Sequence, residues 1–166
     1  MEPLRGQAIF SACERYRYVL SRSWDNGRHC VFVGLNPSTA SASCDDATTR
    51  KCLTLAKTWG FSGIRLVNLF ARKSRYPQAL ATTHDPVGPD NDNWIKSAIT
   101  DTDTVVAMWG NHGQRLYGQS LRRDLQVLAL TSTWQCMGYT KFGAPRHPLY
   151  LASTTTLQPF RAPKAL

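Results

Sequence analysis

No stretch of this chain approaches the ~20 consecutive apolar residues that cross a bilayer, which argues against a membrane protein. The opening M-E-P-L-R-G-Q lacks the apolar core of a secretory signal, so a cytoplasmic location is expected. Cysteine is sparse and scattered: Cys13, Cys30, Cys44, Cys52 and Cys136 are odd in number and form no C-x-x-C pair. That pattern argues against a zinc site and a disulfide framework, and no metal or cofactor is expected. There is no internal repeat, low-complexity tract or linker, so residues 1–166 read as one domain. Acidic residues are few, 11 against 20 Lys and Arg, for a net charge of +9.

That surplus points to a polyanionic partner, with DNA the natural choice. Most of the cations are arginines, which suit bidentate phosphate contacts. No obligate protein partner is implied, and a monomer is the default.

Residues 8–24 alternate Tyr16, Tyr18 and Leu20 with Arg15, Arg17 and Ser21, predicting one or two N-terminal antiparallel edge strands. Arg15, Arg17 and Arg22 read as a solvated strand face. Asp25-Asn26-Gly27 marks a turn. Central strands are predicted at 29–35, 63–70, 104–109 and 126–131. Helices are predicted at 46–59, from Trp94 to about Thr100 behind Asp92 or Asn93, and at 113–123. Strands alternating with helices give an α/β fold with a central, mostly parallel sheet and helices on both faces.

The run Cys30-Val31-Phe32-Val33-Gly34 ends abruptly at Leu35-Asn36-Pro37. Proline has no N–H for the ladder, so Asn36 is pinned at a strand exit, where open α/β sheets place their ligands. Asn68, Trp109-Gly110-Asn111-His112 and His147-Pro148 follow at later exits.

In that order these segments resemble the uracil-DNA glycosylase superfamily. Gly34-Leu35-Asn36-Pro37-Ser38 is similar to the G-[IM]-N-P-G of its Asn-bearing branches. Gly63 to Asn68 is similar to the strand whose final Asn reads the flipped base. Val105 to Gln114 is similar to L-L-W-G-x-x-A-Q, and His147-Pro148-Leu149 to the start of H-P-S. Ser38 stands where the family has Gly, and Leu149 where it has Ser. The chain also resembles small bacterial and phage domains of unknown function, through N-P-S-T-A, D-D-x-T, N-L-F-A, D-P-V-G and R-H-P-L-Y-L.

The glycosylase resemblance implies a three-layer α/β sandwich and a monofunctional enzyme that hydrolyses the N-glycosidic bond of a flipped-out base. Asn36 would hold the water and His147 would donate to the departing base. Asn68, Phe70, Trp109 and Asn111 would contact the base. Ser38, Thr39, Arg72, Lys73, Arg75 and Arg146 would hold phosphates. Asp45 and Asp46 are a second candidate for activating water, although Asp46 also reads as a helix cap. Taken in isolation, Asn36 reads better as a turn residue before proline. The small residues from Ser38 to Ser43 suggest room for a bulky 5-modified pyrimidine of phage DNA, or else a surface loop. A nucleoside or nucleotide hydrolase and a non-catalytic modified-base binder are the alternatives.

Overall fold

A computed structural model describes residues 3–114, 116 and 122–162. Seven strands form one mixed sheet: β1 (Arg5–Phe10), β2 (Arg17–Ser23), β3 (His29–Gly34), β4 (Gly63–Asn68), β5 (Val105–Ala107), β6 (Trp134–Cys136) and β7 (Gln158–Pro159). Their order is β1-β2-β4-β3-β5-β6-β7. The four middle strands β4, β3, β5 and β6 are parallel. β1 and β2 form the antiparallel edge expected from the N-terminal segment, and β7 pairs antiparallel at the other edge.

The centre of the sheet is covered on both faces, which is why β3 reads as a nearly unbroken apolar run. Val31 and Val33 pack with Ile95, Ala98 and Ile99 of α2 (Asn91–Thr100) and Val127 of α3 (Arg123–Leu128). Cys30 and Phe32 pack on the opposite side with Cys52, Leu55 and Ala56 of α1 (Ala47–Thr58). Among the described residues no helix is long and apolar enough to cross a membrane.

The strand expected at 126–131 is instead α3 and the turn after it, and β6 comes later, at Trp134–Cys136. A short apolar run such as V-L-A-L does not distinguish strand from helix by periodicity. Here Arg123 decides: its guanidinium donates to Leu69 O (2.8 Å), to Gln126 Oε1 and to Asp92 Oδ1, which fixes the helix start against α2. The helix expected at 113–123 overlaps residues outside those described; its start is a 3-10 turn at Asn111–Gly113. α2 begins at Asn91, earlier than expected, with no side-chain cap from Asp92 or Asn93. The Asn91 amide donates to Asn68 O (3.0 Å) and Leu69 O (3.2 Å), tying α2 to the exit of β4.

Arg17 and Arg22 are not a solvated face. They are 4% and 2% exposed, covered by the segment before α1. Arg17 donates to Ala40 O (2.9 Å), and Arg22 donates to Ser41 O and pairs with Asp45 (2.8 Å).

Candidate functional site

Following β3 the chain goes to β4 on one side and to β5 on the other. The sheet therefore has a topological switch point beside β3, where a crevice opens outside the strand ends. A cavity of about 450 Å³ lies there. Of the residues expected in a site, it is lined by Asn36, Ser38, Asn68 and Arg75, and by Trp109, Asn111 and His147. Asp46 also lines it, as do His112, Arg17, Thr48 and Thr49.

Asn36 and Asn68 are placed by main-chain contacts at the exits of β3 and β4, whereas His147, also expected at a strand exit, lies in the loop between β6 and β7. Gly34 pairs in register with Asn68, so the two exits run side by side. Leu69, Phe70 and Ser74 then donate their N–H groups to Gly34, Leu35 and Pro37 carbonyls. The Asn36 amide donates to Ser74 O (2.9 Å) and Pro37 O (3.1 Å). Both partners are acceptors, so the NH₂ end is assigned and Oδ1 is left as the acceptor of this side chain.

Asn68 is 5% exposed and its Nδ2 has no hydrogen-bond partner. An unpaired buried donor is costly to the fold. A Cβ on Gly34 would lie 2.8 Å from Asn68 Oδ1, so glycine is what lets the amide lie across β3.

Gly110 has φ 68° and ψ −161°, a conformation essentially confined to glycine, and turns the chain out of β5. Its N–H donates to Pro145 O (2.9 Å), which brings the segment carrying His147 to the cavity. Asn111 Oδ1 accepts from Thr140 Oγ1 (2.7 Å).

His147 stands at the mouth, exposed as a residue. Its Nδ1 accepts from the Leu149 N–H (3.3 Å), so the neutral ring carries its proton on Nε2. Desolvation by the surrounding protein lowers its pKa below the usual 6.5, against the opposing pull of Asp46. The lowered pKa favours the neutral ring, whose donor is then Nε2–H.

Asp46 does two jobs. Its Oδ1 accepts from Thr49 N–H and Oγ1–H (both 2.8 Å), capping α1 as the sequence suggested, and its charge acts on His147 and Arg17. Asp45 does not line the cavity; it is held by Arg22.

Other expected site residues fall elsewhere. Phe70 is fully buried in the core against α2. Thr39 is exposed and outside the lining, and residues 39–43 do not wall the cavity, whose hydroxyls come from Ser38, Thr48 and Thr49. Arg72 and Lys73 lie over the rings of Tyr16 (5.7 Å) and Phe10 (5.0 Å). Arg146 is exposed beside His147 without lining the cavity.

Thr48 and Thr49 of the lining escaped the sequence reading, and so did Arg17, Tyr76 and Tyr150. Arg17 was hidden by its alternation with tyrosines. The exposed rings of Tyr76 and Tyr150 follow the lining residues Arg75 and Leu149. Tyr150 holds a positive φ of 69°, uncommon for a non-glycine residue.

Comparison with curated proteins and with solved structures found no match. Residues 17–149 match the model of a family described as "Protein of unknown function (DUF1643)", and the chain belongs to that family.

Proposed function

We propose that this protein is a DNA glycosylase, with a three-layer fold like that of the uracil-DNA glycosylase superfamily. It would take a flipped nucleotide into the cavity and hydrolyse its N-glycosidic bond. The observation that carries this reading is the convergence of Asn36, Asn68 and His147 on the lining of one cavity outside the ends of the parallel strands.

Asn68 meets an acceptor on the base edge. Water held by Asn36 Oδ1 attacks the sugar carbon. The electron pair of the broken C–N bond leaves with the base, whose oxygen takes a hydrogen bond from His147 Nε2–H. The water proton goes to solvent through the mouth. An amide is not a general base, so Asn36 positions rather than activates. Most of the rate then comes from charge stabilisation at the departing base.

Duplexes with uracil, thymine and bulky 5-modified pyrimidines test the reading, with alkali-labile abasic sites and free base as readouts. Base release from at least one of them is expected. Absence of release from all of them would sink it.

DNA is favoured over a free nucleoside by the cations around the mouth. Arg75 lines it, and Arg146 and Lys73 are exposed on neighbouring segments. Tyr76 and Tyr150 offer exposed faces on which bases stack. Affinity for DNA is expected to fall steeply with added salt, and Arg75→Gln with Arg146→Gln to flatten that slope by about two. An affinity indifferent to salt would point to a small neutral ligand.

Gly34→Ala tests the placement of Asn68. The new methyl group must displace the Asn68 amide, at a stability cost of about 1–3 kcal/mol. Single-turnover release is expected to drop and discrimination between bases to weaken while the chain stays folded. Unchanged base selectivity in a folded variant would remove Asn68 from base reading.

A further inference from the structure

Three arginines are buried among the described residues: Arg17, Arg22 and Arg123. Arg22 is paired with Asp45, and Arg123 with Asp92. Among the described residues Arg17 has no carboxylate in ion-pair contact, and it is the one of the three that lines the cavity. It is 4% exposed, and its Nη1 donates to Ala40 O (2.9 Å). Its Nε is buried with no hydrogen-bond partner. A guanidinium taken out of water without an anionic partner is costly, and the fold retains it in the same cavity lining as Asn68, whose Nδ2 is also unpartnered.

We propose that the cavity contains an oxyanion subsite at Arg17, so that its occupant is a nucleotide bearing a carboxylate or phosphate within reach of that guanidinium. The inference rests on reading the cavity as a nucleotide site and names the class of nucleotide. Desolvation brings the Arg17 pKa down to about 10, still charged at neutral pH, with the carboxylate of Asp46 acting to keep it so. Asp46 acts on Arg17 through its charge but makes no ion-pair contact with it among the described residues, its Oδ1 accepting from Thr49. Arg17 and Arg75 against Asp46 leave one surplus positive charge in the lining. The oxyanion has two sources. One is an acidic substituent on the base, reaching inward once the base is flipped. The other is the phosphate of a free nucleotide.

Calorimetry on the full chain with thymidine, 5-carboxy-2′-deoxyuridine and thymidine 5′-monophosphate separates them. At least one anion is expected to bind about tenfold or more tighter than thymidine. The advantage should vanish in Arg17→Met and survive in part in Arg17→Lys, which keeps the charge but not the planar fork. A preference for the carboxylated nucleoside assigns the anion to the base; a preference for the monophosphate assigns it to a free nucleotide. If neither anion outbinds thymidine in the wild-type protein, the subsite is refuted, whether or not the variants fold. An undiminished advantage in folded Arg17→Met refutes it too. The glycosylase reading fails separately: no duplex would release base while the anion advantage remained.

Discussion

Replacing His147 by alanine is expected to lower single-turnover base release by about 10²-fold or more, with DNA affinity close to wild type. The loss falls on the chemical step because the Nε2–H donor matters most where negative charge grows on the departing base. His147→Gln, whose amide can also donate, should keep more activity than alanine. The pH profile gives an independent check. Protonation would place a hydrogen on Nδ1 against the Leu149 N–H, so the ring must leave its position. Release should therefore be level at neutral pH and fall as the pH drops through the lowered His147 value. Stability follows the same sign. Below 6.5 the unfolded chain takes up the proton that the folded ring resists, so the fold loses stability as pH falls. Full turnover by a folded His147→Ala protein would remove the histidine from the mechanism.

The position of Asn36 was legible because proline marks it, while the proline after His147 marks a loop rather than a strand end. A Pro after a polar residue at the end of an apolar run fixes both the break and the neighbour's position, so the exit of β3 was readable. The parallel order of the middle strands brings Asn36 and Asn68 together, but His147 joins them only through the long-range bond from Gly110 N–H to Pro145 O. Arg17 was not legible for a different reason. Alternation along β2 separates two faces but does not say what covers them. Here residues 40–45 lie across the arginine side of β2, a long-range contact with no local trace. Phe70 was misjudged similarly: it lies two residues beyond the end of β4, and the chain buries it in the core rather than in the cavity. The helical fate of V-L-A-L was decided by Arg123 reaching the carbonyl of Leu69, 54 residues away.

The adjacent aspartates before α1 should separate cleanly. Asp45→Ala is expected to destabilise the fold by about 2–4 kcal/mol, read from urea unfolding, because it strands the Arg22 guanidinium, which is 2% exposed. The lower part of that range is the better guide, since Asp45 itself is 20% exposed and water can partly replace it. Arg22 also holds Ser41 O, so loosening this corner frees the segment that leads to Asp46 and the cavity wall. Asp46→Asn should behave differently. Asparagine caps a helix about as well as aspartate, so stability should change by only a few tenths of a kcal/mol. With the water held by Asn36, turnover should stay within a few-fold of wild type. A loss of 10²-fold or more in a folded Asp46→Asn protein would move the water from the Asn36 amide to the Asp46 carboxylate. The same loss in Asp45→Ala, measured where that variant is still folded, would show that its effect reaches the site through the segment Arg22 holds, since Asp45 has no place in the cavity.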